Sequence, residues 1–257
     1  MSGELESQYR DTARLAARGR LHAKYSRIDW FAWVAERLDL PPGARVLDLG
    51  CGAGWFWSGR LGAGLDVELT LCDLSAGMVR AALANLDGAA GACALVADAS
   101  ALPLQEGAFD AVVAMHMLYH LPDPEAGLSE IARVLKPGGR VFVTTNGADS
   151  LRRLHRLAAA AYPAPDSDPA AQVFGIAQAE AALRERFSGV ATQRCLDVLD
   201  CSDPKDVRDY LLSLPAADAA TADQRAALDR LIAEAFARGG GRLRLEKESG
   251  LIVGTRC

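Results

Sequence analysis

Five short apolar runs follow one another in the first 150 residues, and they constrain the fold more than any other feature. The runs, each predicted to be a β-strand, are residues 45–49, 67–72, 93–97, 109–115 and 140–145. Helical patterns lie between them, near residues 55–62, 76–86 and 124–135. Strands that alternate with helices are typical of βαβ units with parallel strands. Because continuous apolar strands are covered on both faces, the sequence predicts an α/β fold with a central sheet sandwiched by helices.

A glycine-rich loop follows the first predicted strand. In "RVLDLGCGAGWFW", Asp48 precedes glycines at positions 50, 52 and 54. Such a loop brings backbone N–H groups close to a ligand, because no Cβ stands in the way. Dinucleotide-binding folds use G-x-G-x-x-G, but Trp55 occupies the place of the third glycine. The carboxylate of Asp48 would repel a pyrophosphate and favours a ligand with an ammonium group and no phosphate.

Two further acids follow the next two predicted strands. Asp73 ends the second strand, where a carboxylate can accept hydrogen bonds from both ribose hydroxyls. Asp98 follows the third strand in "VADASALP". An isolated Asp at a strand end is also a common turn or helix cap, so each of these positions has a structural explanation as well.

Four stretches together resemble the class I S-adenosylmethionine-dependent methyltransferases, in the small-molecule branch similar to methyltransferase type 11. They are "RVLDLGCGAG", "LTLCDLS", "VADASALPLQEGAFDAVVAMHMLYHLPD" and "EIARVLKPGGRVFVTT". The resemblance covers roughly residues 40–147. It implies a Rossmann-like, mostly parallel sheet of seven strands in the order 3-2-1-4-5-7-6, with "SGLIVGTRC" near the C-terminus as the candidate seventh strand.

The resemblance also implies the cofactor, S-adenosylmethionine, and the residues that bind it. The glycine loop would approach the methionine part, Asp73 the ribose, and Asp98 the adenine amino group with the backbone of Ala99 beside it. The cofactor-binding residues carried over in this way are Asp48, Gly50, Cys51, Gly52, Gly54, Asp73, Leu74, Met78, Asp98, Ala99 and Met115.

Three residues are candidates for a catalytic role. "MHMLYHLPD", after the fourth strand, supplies His116 and His120, and histidine suits general-base chemistry near neutral pH. His120 could instead brace its loop through a backbone hydrogen bond. Tyr25 lies in the aromatic segment "LHAKYSRIDWFAW", which either closes over the cofactor as a lid or packs on the sheet.

The remaining segments predict a helical periphery. We expect an N-terminal helical cap over residues 1–40, then a methyltransferase domain over residues 41–257. Within that domain we expect helical insertions at about 148–172 and 204–238, which would shape the acceptor pocket.

The net charge and the composition restrict the classes of partner and ligand that we expect. The net charge of −5 disfavours a nucleic-acid substrate, and no run approaches the ~20 apolar residues that span a bilayer. The N-terminus lacks the apolar core of a signal peptide, so we expect a soluble cytoplasmic protein, as monomer or homodimer. The six cysteines form no C-x-x-C pair, and no metal site is expected.

The expected activity is methyl transfer to O, N or C of a small molecule, in natural-product or other secondary metabolism. A quinone-type C-methyltransferase shares the same motifs. A regulatory protein that binds S-adenosylmethionine without transferring the methyl group is an alternative of another class. A Rossmann oxidoreductase is a further alternative, against which Trp55 speaks.

Overall fold

Seven strands form the framework of the computed structural model, which describes residues 12–58, 66–86 and 92–257. Among these residues the strands are β1 (Ala44–Leu49), β2 (Val67–Asp73), β3 (Cys93–Val96), β4 (Phe109–Met115), β5 (Leu135–Asn146), β6 (Phe187–Cys201) and β7 (Leu243–Arg256). They make one sheet in the order β3-β2-β1-β4-β5-β7-β6. The predicted α/β Rossmann-like fold and its strand order are therefore confirmed.

Nine α-helices occur in the described residues. They are α1 (Thr12–Tyr25), α2 (Trp30–Ala35), α3 (Ala76–Asn85), α4 (Pro124–Val134), α5 (Arg152–Ala161), α6 (Pro169–Phe174), α7 (Ile176–Arg184), α8 (Pro204–Leu212) and α9 (Ala222–Arg238). Several begin where a side chain accepts the first unpaired backbone N–H groups: Ser75 precedes α3, Asp123 precedes α4 and Asp203 precedes α8.

The parallel register brings the carboxyl ends of the central strands to one edge of the sheet. β1 pairs in parallel with β2 and β4, and β2 pairs with β3. Asp48 in β1 lies opposite Val113 in β4, and Asp73 at the end of β2 lies opposite Val96 in β3. Ligands bind along such an edge in open α/β sheets.

Two strands are longer than expected. β5 starts at Leu135 and not at residue 140, although its pairing with β4 is irregular between Leu135 and Arg140. β7 starts at Leu243, before the candidate segment "SGLIVGTRC", and is continuous through Gly250. A Cβ at Gly250 would lie 2.8 Å from the Ile176 side chain. That glycine is therefore needed for packing against α7, not for a turn.

The region after β1 also differs from the expectation. Before β1, α1 ends at Tyr25 and α2 begins at Trp30, and the Ser26 hydroxyl between them is engaged with Ile28 and Asp197. Residues 55–58 of the helix expected at 55–62 form a turn, and the rest of it lies outside the described residues.

The chain divides into two compact units, each with its own core. The sheet unit comprises Trp30–Asn146, Val173–Arg194 and Gly250–Cys257. Its apolar residues form one cluster around Val112 and Ala114 and another around Ala111 and Val113, which lie on opposite faces because successive strand residues alternate.

The helical unit comprises the described residues through Asp29, with Gly147–Gln172 and Cys195–Ser249. Its core includes Leu21, Leu154, Leu211 and Leu228. No helix in the described parts of the chain is long and apolar enough to cross a membrane.

Candidate cofactor and active site

Asp48 is a buried carboxyl group at the end of β1. Its side chain accepts a hydrogen bond of 2.7 Å from the indole N–H of Trp57, which is itself buried. Burial raises the pKa of Asp48 to about 7, the Trp57 hydrogen bond opposes that rise, and the charge of Asp73 adds to it. A positive charge placed beside this carboxyl group would favour its ionised form.

The three glycines after Asp48 differ in their surroundings. Gly50, Gly52 and Gly54 have φ angles of 70°, 53° and 71°, in the left-handed region that favours glycine. A Cβ at Gly50 would lie 2.6 Å from Met117, and one at Gly54 would lie 2.9 Å from Ala82. A Cβ at Gly52 would meet no atom within 4 Å. Packing explains the outer two glycines, whereas the middle one leaves its backbone open to approach by a ligand.

Asp73 holds the glycine loop and the start of α3 together. Its two carboxylate oxygens accept hydrogen bonds of 2.9 Å from the backbone N–H groups of Gly52 and Ser75. Burial raises the pKa of Asp73, and these backbone hydrogen bonds act against the rise. A carboxylate has about four acceptor positions, so two remain for other donors. Nearby Cys51, half-buried, donates its backbone N–H to Cys72, and burial raises its thiol pKa.

Asp98 and Ala99 lie at the end of the neighbouring strand. Asp98 is exposed, and its carboxylate accepts the backbone N–H of Ser100 at 2.8 Å, while Ala99 is buried. The backbone N–H of Ala97 donates to the Asp73 carbonyl at 3.1 Å. This link keeps the ends of β2 and β3 together.

Two residues that no sequence motif indicated secure the segment after Asp98. Glu130 in α4 accepts the backbone N–H of Leu102 at 2.7 Å. Arg133 donates to the carbonyls of Leu102 at 3.0 Å and Leu104 at 2.7 Å, and it pairs with Glu130. The acid and base three residues apart in "EIAR" are the signal that could have suggested a helical ion pair, although not its partner loop.

Apolar side chains are exposed along the same edge of the sheet. Leu74, directly after Asp73, and Val96, at the end of β3, are each 51% exposed, and Trp55 in the glycine loop is 41% exposed. Of the other two predicted contacts, Met78 is buried in α3 and Met115 is half-buried at the end of β4. Val96 was not among the predicted site residues.

The two candidate catalytic histidines share the loop after β4. His116 has a φ of 51°, and its backbone N–H donates to the Thr144 carbonyl at 3.0 Å. His120 ends a short 3-10 turn, and its ring lies 4.6 Å from that of Tyr119 between centroids. Met117, which limits the space at Gly50, lies between the two histidines. The loop therefore packs against the glycine loop.

Tyr25 belongs to the helical unit, where it is buried in the core. Its hydroxyl donates to the Asp206 carboxylate at 2.7 Å, and Lys24 donates to the same oxygen at 2.6 Å. Its role as a lid stays a prediction. Among the described residues, no three His, Cys, Asp or Glu side chains are grouped so that they could hold a metal ion.

Known proteins match part of the chain in sequence. A family model described as "Methyltransferase domain" matches residues 47–143. A ubiquinone biosynthesis O-methyltransferase of Xanthomonas oryzae pv. oryzae is 43% identical over 121 residues, which are 46% of this chain and 48% of that protein. The chain thus spans about half the length of the curated relatives it matches.

Solved structures match most of the chain in fold. Phosphoethanolamine N-methyltransferase 2 of Haemonchus contortus, in complex with S-adenosyl-L-methionine, has a TM-score of 0.55 and 16% identity, over 88% of this chain and 52% of its own. The cyclase SpnF has a TM-score of 0.55 and 24% identity, over 90% of this chain and 84% of its own. Residues 47–143 are therefore similar to a methyltransferase domain, and the solved structures share the fold of the chain.

Proposed function

We propose that this protein transfers a methyl group from S-adenosylmethionine to O, N or C of a small-molecule acceptor, in natural-product or other secondary metabolism. The observation that carries the proposal is the buried carboxyl group of Asp48 beside a glycine loop whose middle member, Gly52, is open. This arrangement suits a cationic amino-acid group and disfavours a diphosphate.

The residues present fit the cofactor of this class. Asp48 would face the ammonium group, and the acceptor positions left on Asp73 would take the ribose hydroxyls. The exposed apolar side chains of Leu74 and Val96 would contact the adenine, and Asp98 its amino group. When bound, the cofactor supplies an activated sulfonium methyl group.

The loop after β4 supplies the groups for the acceptor. A hydroxyl or carbon-acid acceptor must lose a proton as its atom bonds to the methyl carbon. The imidazole of His116 or His120 would take that proton, since both side chains follow the strand end beside the glycine loop.

A quinone-type acceptor is the second candidate. The name of the Xanthomonas relative places that enzyme in ubiquinone biosynthesis, and its match covers 46% of this chain. A third possibility is that the protein binds S-adenosylmethionine without transferring its methyl group. The solved structure of SpnF, which is named a cyclase, has a similar fold, and one fold can support different chemistries.

Calorimetry with S-adenosylmethionine, S-adenosylhomocysteine and NAD tests the cofactor. We expect the first two to bind and NAD not to bind; NAD binding without S-adenosylmethionine binding would overturn the proposal. Methyl-labelled cofactor with a panel of phenols, amines and quinols then tests transfer. Binding without labelled product from the panel or from an extract of small metabolites would favour the regulatory alternative.

The substitution Asp73→Ala tests the site itself. We expect the affinity for S-adenosylmethionine to fall more than tenfold, because two ribose hydroxyls lose their acceptor. Thermal unfolding should be recorded as well, since the same carboxylate supports the loop. Asp110→Asn is the matched control, because that carboxylate also accepts a backbone N–H, from Arg45, at the start of β4. Unchanged affinity in Asp73→Ala would refute the ribose role.

A further inference from the structure

Three rings bridge the two faces of the sheet at the end of β4. The His116 ring lies 5.6 Å from the ring of Trp30 and 6.4 Å from that of Tyr119, between centroids, with interplanar angles of 53° and 56°. Trp30 packs against the cluster around Val113, and Tyr119 packs against the opposite cluster around Val112. We call Trp30, His116 and Tyr119 the aromatic bridge.

The aromatic bridge is not a closed part of the core. All three of its residues are half-buried, so none of them belongs to the fully buried core. It lies next to the candidate cofactor loop, because Met117, one residue beyond His116, is the side chain that a Cβ at Gly50 would meet. A group held by these rings would therefore lie close to the methionine end of the proposed cofactor site.

His116 is held in an unfavourable backbone conformation. A positive φ is unfavourable for a residue with a Cβ, and such strain persists where surrounding structure imposes it, often at ligand sites. Here the backbone N–H of His116 is fixed by the carbonyl of Thr144 in β5. The conformation places the imidazole between the rings of Trp30 and Tyr119.

The charge near the aromatic bridge indicates which kind of ligand it would bind. Trp33 stacks on Trp30 at 5.3 Å with an interplanar angle of 12°, and the guanidinium group of Arg37 lies 3.9 Å above Trp33. Aromatic faces attract both flat rings and cations. The guanidinium group of Arg37 already places a permanent positive charge beside the stacked rings of Trp33 and Trp30. A cationic acceptor is therefore disfavoured, and a flat neutral ring is favoured.

We propose that the aromatic bridge contacts the methyl acceptor, that the acceptor carries a flat aromatic ring, and that Trp30 is the residue that selects it. This inference rests on the proposed function. The acceptor ring would pack against Trp30, with the His116 imidazole beside its substituent.

A matched pair of probes tests the selection without any turnover. 2-Naphthol and decahydro-2-naphthol have the same carbon skeleton and hydroxyl, but only the first is flat and aromatic. Their binding, measured by ligand-observed NMR titration with S-adenosylhomocysteine present, should favour 2-naphthol at least tenfold in the unaltered protein. Equal binding of the two, or tighter binding of choline than of 2-naphthol, would overturn the inference.

Substitutions in α2 test which residue causes the preference for 2-naphthol. Trp30→Leu should reduce it to less than threefold, whereas Trp30→Phe should keep most of it. Phe31→Leu is the matched control, because Phe31 is a half-buried ring on the same helix that packs on Phe56 at 5.8 Å, outside the bridge. A full preference in Trp30→Leu, or its loss in Phe31→Leu, would contradict the assignment.

The cofactor titration separates the two proposals. If the unaltered protein does not bind S-adenosylmethionine by calorimetry, the proposed function fails. If it binds the cofactor and shows no preference for the aromatic probe, only the inference about Trp30 fails.

Discussion

Gly52 and Gly54 lie two positions apart, yet a methyl group added to each should have different consequences. Both have positive φ, which costs alanine about 1–2 kcal/mol. At Gly54 the new Cβ also overlaps Ala82, and overpacking adds about 1–3 kcal/mol. We therefore expect Gly54→Ala to lose more stability in urea unfolding, and Gly52→Ala to lose more affinity for S-adenosylmethionine. Equal loss of stability, or unchanged affinity in Gly52→Ala, would contradict this interpretation of the loop.

The spacing of single residues predicted the acids and glycines of the candidate site, but not what holds them. That Trp57 donates to Asp48 depends on how the chain turns after the loop, and nothing in the local pattern records that turn. The same holds for Asp73, which a motif assigns to a ligand and which the structure also shows bracing Gly52. A motif reports which group is needed, whereas its supporting hydrogen bonds come from tertiary contacts.

Helix α4 supports the candidate adenine end of the site through one ion pair. Hydrogen bonds from Arg133 hold the pKa of Glu130 below its usual range, against the effect of burial. A lowered pKa means that the carboxylate stabilises the fold above the ordinary pKa of Glu, and that this stability is lost as pH falls through the lowered value. Glu130→Gln should therefore cost about 1–2 kcal/mol near pH 7 and much less in acid.

Urea unfolding near pH 7 and in acid measures the free energy of unfolding at each pH. Hydrogen exchange at the Leu102 amide measures how well its hydrogen bond to Glu130 is kept. The exposed carboxylate of Glu106 pairs with Arg256, so Glu106→Gln is the control and should change stability by less than about 0.5 kcal/mol. A loss in Glu130→Gln that is equal at both pH values would contradict the role of its charge.

At the level of elements, the pattern predicted the first four strands within one or two residues and missed where β5 and β7 start, in segments that contain or precede glycines. "KPGG" and Gly250 both suggest turns locally. In the sheet the first is an irregularity in β5, and the second allows close contact with Ile176. The choice between turn and packing depends on an element far along the chain, which a local pattern does not contain.

The whole molecule is assembled from interleaved segments, and this has a testable consequence. Residues 30–146 contain every predicted cofactor residue, but the core of the sheet unit also uses Phe174, Leu183 and Ile252. A fragment of residues 30–146 should therefore unfold without a cooperative transition by circular dichroism and should not bind S-adenosylmethionine. Cooperative unfolding with the affinity of the full chain would show that the later segments are dispensable.

The same interleaving limits what the sequence could predict. The division into two units joins segments of three different parts of the chain, including opposite ends of β6 and β7. Local periodicity reports helices and strands one at a time. It does not reveal that a single strand contributes to two cores.

In the proposed complex, the carboxylate of Asp48 receives the cationic amino-acid group of the cofactor. Calorimetric titration of S-adenosylmethionine between about pH 6 and 7.5, for the unaltered protein and for Asp48→Asn, tests this contact. With a pKa of about 7 the carboxyl group ionises across this range, so affinity should rise roughly fivefold or more in the unaltered protein and stay nearly constant in the variant. An identical pH dependence in both proteins would contradict the claim.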